Sequence, residues 1–257
     1  MILKKVISNI LFLIGIIALW QIVYLANIFP KLIFPSVGEI GVAIIKGFEQ
    51  ENLLLTIGYS LGLILKGLVV GVGLAIILSA IAVISNTFHS VYNMIVSICD
   101  PLPGIALLPL AILWFGIGES TIIFIIVHSV IWPMSRNIMD GFRATPKIYT
   151  EVGKNIGLSR VGLLTGVYLP ASLPYIISGL KVGWARAWRG LISAEMIFGV
   201  SGSIGGIGWY IYKKRYQLET PGVFGALVII ILIGILIEYG IFSVIEKKTI
   251  KKWGMVR

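Results

Sequence analysis

The sequence predicts an all-α integral membrane protein of about six transmembrane helices, and three observations predict it. Hydrophobic residues make up 58% of the chain. Charged residues make up 12%, where a soluble domain carries roughly 25%. The apolar residues fall in long, nearly uncharged runs, and a helix needs about 20 such residues to cross a hydrocarbon core about 30 Å thick. A chain of 257 residues has room for about five to seven such helices joined by short connections, and is read as one transmembrane domain over 1–257. The formal net charge of +10 is what an excess of Lys and Arg on cytoplasmic loops produces, so no nucleic-acid partner is inferred. The single cysteine, Cys99, can make no intrachain disulfide and leaves the redox compartment open.

Taking the elements in order, Lys4 and Lys5 precede an uncharged run over 6–26. That run is too long for a signal-peptide core and lacks a small-x-small cleavage pattern, so it is read as an uncleaved first span. Residues 29–52, with Pro30, Pro35, Gly38, Lys46, Glu49 and Glu51, read as an outside loop with a short helix of mixed polarity. The second span, 53–88, contains Lys66 as its sole charge, and Gly58, Gly62, Gly67, Gly71 and Gly73 predict a face for close helix packing. The third, 91–118, is interrupted by Asp100, Pro101, Pro103, Gly104 and Pro109. Such a break is tolerated only where protein or a water-filled cavity satisfies the freed backbone groups, which places it inside the bundle. The fourth covers 119–140, with His128 and Pro133 inside it; the fifth covers 171–199 and the sixth 222–245.

Six spans put both termini and the 141–170 connection on one side, together with Lys4, Lys5, Arg136, Arg143, Lys147, Lys154, Arg160 and the tail lysines 247, 248, 251 and 252 and Arg257. The other side receives Lys31, Lys46 and the Lys213, Lys214, Arg215 cluster. The richer side is read as cytoplasmic. Within 141–170, Thr145 is the expected N-cap and Pro146 the expected first residue of a short helix, and Gly157 its expected left-handed terminator. Ser159 is expected to cap a second helix that Pro170 and Pro174 end. Gly153 and Gly157 would clear one face for another protein's surface. The alternative reading is an amphipathic loop resting on lipid headgroups.

This loop carries a recognisable pattern. Glu151, Val152 and Gly153, then three residues, Gly157, nine residues, Val167, Tyr168, Leu169 and Pro170 match without a gap the E-A-A, G, I, L-P spacing of the cytoplasmic loop in permease subunits of ATP-binding-cassette importers. Val152 and Gly153 replace the two alanines, and Val167 the isoleucine. The chain is further similar to the sulfonate, nitrate, taurine and pyrimidine-precursor branch of those permeases. That similarity rests on F-P-S-V at 34–37, T-I-G-Y-S-L-G-L-I-L-K-G at 56–67, D-P-L-P-G-I-A-L-L-P-L-A-I-L-W-F-G-I-G-E at 100–119 and L-P-A-S-L-P-Y-I-I-S-G-L-K-V-G-W-A-R-A-W-R-G-L-I-S-A-E-M at 169–196. The resemblance implies a type I importer permease in the inner cell membrane. It would pair with itself, with two copies of a cytoplasmic ATPase and with an extracytoplasmic solute-binding protein. It also implies that the Glu151–Gly157 helix sits in a groove of the ATPase and transmits its closure.

The residues themselves are consistent with a borrowed energy source. No G-x-x-x-x-G-K-S/T phosphate loop occurs, so ATP with magnesium is expected on the partner and no cofactor on this chain. The glycine run 202–208 lacks the G-x-G-x-x-G pattern and reads as a turn outside the membrane. His89, His128 and Cys99 stand apart, so no metal site and no catalytic set is expected. In the fifth span Lys181, Trp184, Trp188 and Glu195 share one helical face, while Arg186 and Arg189 lie on another. Charges in a span usually face the interior, so one of these faces is a candidate pathway for a small anionic or aromatic solute. The alternative has Arg189 and Glu195 snorkelling outward with the tryptophans as interface anchors. Asp100 is expected to pair with a basic residue or cap free amides. The function expected is a permease that alternates access under the drive of a separate ATPase, for a sulfonate, taurine, nitrate or thiamine-precursor-like solute. A self-contained secondary transporter is the alternative, and a membrane enzyme a third.

Overall fold

Helix α6 (Glu119–Ala144) is the axis of the molecule, packed along α3 (Leu53–Ile84) on one side and α10 (Leu173–Phe198) on the other. The computed structural model describes residues 2–198 and 205–251. Part of the 202–208 glycine run, together with Lys252 and Arg257, lies outside the described residues, as do the side chains of Lys4, Lys5 and Lys251. Every regular element among the described residues is helical: α1 (Ile2–Leu25), α2 (Val37–Gln50), α3, α4 (Asn86–Cys99), α5 (Leu108–Phe115), α6, α7 (Lys147–Asn155), α8 (Arg160–Leu163), α9 (Leu169–Ala171), α10, α11 (Ile207–Tyr216), α12 (Thr220–Ile235) and α13 (Ser243–Glu246). Four segments are long and apolar enough to cross a membrane: 7–25, 53–84, 119–144 and 220–249. The bent pairs α4 with α5 and α8–α9 with α10 bring the number to six if each is one span.

Local chemistry explains where the elements begin and end. Ser36 and Glu39 form a capping box at α2: Ser36 Oγ accepts from the Glu39 amide, and the Ser36 amide donates to Glu39 Oε2 at 2.7 Å. The apolar run expected over 53–88 breaks at Ser85, whose hydroxyl accepts from the Phe88 amide and starts α4. The third run is two helices at 90° rather than one interrupted rod, with the corner at 100–103. Proline at 101 and 103 removes two amide donors, so the helical hydrogen-bond ladder cannot continue past Asp100, which itself keeps helical backbone. The chain bends again, by 68°, where α9 meets α10. Helix α12 runs through π-helical turns at Leu236–Phe242 and Lys247–Lys251, which flank α13.

The core lies between α3, α6 and α10. Ile64, Ile122, Ile125, Ile126, Val130, Met134, Ala187 and Leu191 are fully buried there. Two of the five α3 glycines explain the close approach: a methyl at Gly67 would overlap Ile126, and one at Gly71 would lie 2.9 Å from Val130 Cβ. Gly58, Gly62 and Gly73 face open space, so the bare face expected along α3 is used only at its middle. Helix α1 stands outside this core; Leu11, Phe12 and Leu13 are exposed, and its protein contacts are mainly with α2 and the turn before it. Exposed apolar side chains at such density require acyl chains around them.

Candidate functional site

The corner between α4 and α5 opens a cavity of about 370 Å³, lined by residues 100–105, by His128, Ser129 and Trp132 of α6, and by Arg186, Arg189, Gly190 and Ser193 of α10. Asp100, at the C-terminal end of α4, holds it together. Its Oδ1 accepts from Arg186 Nη1 at 2.5 Å and its Oδ2 from Arg136 Nε at 3.1 Å. Arg186 Nη1 also donates to the Asp100 carbonyl at 3.1 Å. One carboxylate thus meets two guanidiniums, the arrangement in which ion pairs and hydrogen bonds reinforce each other. Arg189 donates to the Ala185 carbonyl and has no acidic partner among the described residues. The wall therefore carries two cations against one anion. His128 Nδ1 and Trp132 Nε1 are buried without a hydrogen-bond partner.

The structure separates the sequence-predicted residues of the fifth span. Arg186, Arg189 and Asp100 come together at the cavity, and the other face does not line it. Trp184 and Trp188 stack with ring centroids 5.8 Å apart and are both 7% exposed, so they are core side chains and not interface anchors. Lys181 Nζ pairs with Glu246 at 2.5 Å and Glu238 at 3.5 Å, fastening α10 to the last helical segment. Glu195 does not snorkel: it is 1% exposed. Its carboxylate accepts from Ser60 Oγ at 2.7 Å and from the Gly208 amide at 2.9 Å, and the Ile207 amide donates to Ser60 Oγ. These groups pin the first turn of α11 to α3 and α10. The close fit needs bare backbone, since a side chain at Gly206 would overlap the Glu195 carboxylate.

The same end holds a second polar cluster. Lys214, 3% exposed, donates to Glu51 Oε1 at 2.7 Å and to Glu219, while Tyr210 donates to Glu51 Oε2 at 2.7 Å. Burial works against the Glu51 charge, but the Lys214 and Tyr210 hydrogen bonds outweigh it and hold this carboxyl below the usual carboxylate range. Burial likewise opposes the Lys214 charge, and Glu219 and Glu51 overcome it, raising the ammonium above its ordinary value. The middle of the Lys213, Lys214, Arg215 cluster is therefore an internal tie; Lys213 and Arg215 remain exposed.

At the opposite end the 141–170 connection folds into α7, α8 and α9. Pro146, not Thr145, occupies the N-cap of α7; Thr145 closes α6 and donates its hydroxyl to the Gly141 carbonyl. Gly157 is left-handed at φ +82°, and Ser159 caps α8 through the Gly162 amide at 3.1 Å. The second helix does not stop at Pro170: it passes through a π-helical turn at Leu164–Tyr168 into α9, and the chain turns at Ser172. Gly153 differs from expectation. A methyl there would lie 2.6 Å from Leu163 Cδ2, so its bare face receives the chain's own α8 and no partner. The face turned outward is instead Ile148, Tyr149, Val152 and Ile156, all at least half exposed, beside exposed Glu151. Ile148, Val152 and Ile156 recur every four residues, a spacing that was visible in the sequence. Val167 and Leu169 are half-buried, and Pro170 is exposed.

Comparison with known proteins agrees over most of the chain. Residues 67–251 match the model of a family described as binding-protein-dependent transport system inner membrane component. The taurine transport system permease protein TauC of Escherichia coli is 28% identical over 204 residues, 79% of this chain and 73% of TauC. The putative aliphatic sulfonates transport permease protein SsuC of Bacillus subtilis is 26% identical, covering 92% of this chain and 84% of SsuC. The nitrate import permease protein NrtB of Synechocystis is 28% identical over 66% of this chain and 59% of NrtB.

Proposed function

The chain belongs to the family of binding-protein-dependent transport system inner membrane components, in the branch of sulfonate, taurine and nitrate permeases, and from that premise we propose that it conducts a small oxyanion such as a sulfonate, taurine or nitrate across the plasma membrane. As an importer permease it works with an ATPase and a solute-binding protein. In our reading it does so as a homodimer on two ATPase copies, with both termini in the cytoplasm. The observation that carries the substrate class is the cavity at the α4–α5 corner, whose wall carries the guanidiniums of Arg186 and Arg189 against the single carboxylate of Asp100. Arg186 is already neutralised by Asp100, which leaves Arg189, among the described residues that line the cavity, as the free cation for the passing anion. Guanidinium suits this task because its charge persists at all working pH and its fork matches planar and tetrahedral oxygens.

The outward apolar face of α7 supports docking to the ATPase. Glu151 and Gly157 stand beside it at the positions that the loop pattern shares with the importers. Movement of α7 would pass directly into α6, two residues away in the chain, and thence to the cavity wall.

The test is uptake of labelled taurine, an alkanesulfonate and nitrate by cells expressing the chain with its neighbouring ATPase and binding protein. Arg189→Gln is expected to lower uptake of the true substrate at least tenfold at equal membrane abundance, with ATPase association retained. Uptake equal to the parent's would remove Arg189 from the pathway.

A further inference from the structure

A second cavity, about 280 Å³, lies at the α7 end, between the end of α3, the start of α4, the end of α6 and the start of α7. Its polar lining is Ser79, His89, Arg143, Thr145, Lys147 and Thr150. Ser79 is the informative residue: it is 0% exposed, and its hydroxyl has no hydrogen-bond partner. Arg143 and Lys147 add cationic donors, whereas the Thr145 and Thr150 hydroxyls already donate to the Gly141 and Lys147 carbonyls. Arg143 Nη2 lies 3.2 Å from His89 Nε2. A guanidinium can only donate, so Nε2 accepts and Nδ1 carries the ring proton. Lys147 is exposed and opens α7, where the Tyr149 amide donates to the Pro146 carbonyl and the first turn carries partial positive charge. The counter-charge is small: Asp140, half exposed, sits 3.5 Å from Arg143 Nη1. A neighbouring cavity shares Val83 and Tyr168 with this one and adds Arg160 to the basic surface.

We infer that the cavity bounded by Ser79, His89, Arg143 and Lys147 binds a phosphate-type oxyanion, bridging α3, α6 and the first turn of α7. Two cations, Arg143 and Lys147, meet the one half-exposed carboxylate of Asp140, and charge-assisted hydrogen bonds to phosphate are the strongest that such a set makes. Two sources supply this chemistry: the headgroup of an anionic phospholipid or soluble phosphate. Placement of this end at the cytoplasmic membrane surface rests on the orientation proposed above, where basic pockets between helices meet anionic lipid.

The test uses the purified, delipidated full-length chain. Native mass spectrometry counts phosphatidylglycerol or phosphatidylcholine retained, and titration with inorganic phosphate is followed by thermal stability. Arg143→Gln with Lys147→Gln is expected to weaken binding of the effective probe at least about tenfold, and Ser79→Ala about threefold, in keeping with charged and neutral hydrogen bonds. Lys213→Gln, at the far end, leaves binding unchanged. If the double variant fails to fold, Lys147→Gln alone, at an exposed position, carries the same comparison. Phosphatidylglycerol retained in preference to phosphatidylcholine identifies a lipid site, and stabilisation by phosphate a soluble ligand. Equal retention of both lipids with no phosphate effect overturns the inference, as does parent-like binding by the variants. These readouts are independent of α7 docking: loss of ATPase association in Val152→Ser speaks to docking alone.

Discussion

Around Lys214 the chain buries charge and pairs it: Glu51 and Glu219 converge on one ammonium, Tyr210 donates to Glu51, and Glu195 ties down the first turn of the same helix. Around α7 the chain does the reverse, exposing Ile148, Tyr149, Val152 and Ile156 and keeping its charges in solvent. The first end is satisfied by its own side chains. The second leaves apolar area that none of the described residues covers. One end is closed by contacts within the chain, and the other presents an apolar face to its surroundings.

The largest effect that would break this comparison is at Lys214. Lys214→Met should lower unfolding stability in detergent by about 3 kcal/mol, at the low end for a buried pair because Glu219 stays partly exposed and Lys46 remains nearby. A loss under about 0.5 kcal/mol would mean that the ion pairs do not hold that end. Gly153→Val comes next: overpacking against Leu163 should cost about 1–3 kcal/mol and separate α7 from α8, read as new protease cleavage between 153 and 160. At Gly157 the left-handed backbone penalises any β-carbon, so Gly157→Ala should cost about 1–2 kcal/mol and Gly157→Asn less. Equal costs for the two would show that crowding, not backbone conformation, governs the site. The smallest effect on stability is at Val152→Ser and Ile148→Ser, each within about 0.5 kcal/mol, yet each should reduce co-purification of the ATPase. A variant that unfolds instead would place this face in the chain's own core.

Acidity sharpens the same contrast. The Glu51 carboxyl is held low, so its contribution is present above the ordinary carboxylate pKa of about 4.3 and is lost as pH falls through its depressed folded value. Lys214 is held high, so its contribution persists below about pH 10.4 and is lost only above that. Unfolding stability of the parent minus that of Glu51→Gln should therefore be flat from about pH 5 to 10 and shrink on acidification. A difference that grows in acid would contradict the pairing.

Much of this was legible in the sequence. Apolar runs gave the spans, Ser159 and Gly157 gave the turns of the connection, and the prolines at 101 and 103 gave the break in the third run though not its 90° bend. These signals are local: each depends on what one residue does to its own backbone. What stayed hidden depends on which helices meet. Nothing in the run 205–220 says that Lys214 faces Glu51, 163 residues away in the chain. Gly153 read as a free surface because the pattern cannot show Leu163 folding back onto it. His128 read as isolated until the packing of α6 on α10 brought it and Trp132 to the same cavity as Arg189. Helical spacing separated Arg189 from Trp188, but only the packing of α10 on α6 distinguished the cavity side from the core side.

The glycine contacts of α3 have a mechanical consequence. With Ile126 and Val130 seated on Gly67 and Gly71, and Gly179 and Gly183 of α10 receiving Met134 and Val130, the three long helices interlock too closely to slide past one another. A push delivered at α7 would thus be carried by a stiff girder, and flexure would concentrate at its joints, the corner at 100–103 and the turn at Ser172. A load on one side of the membrane would then emerge on the other as rotation about those joints.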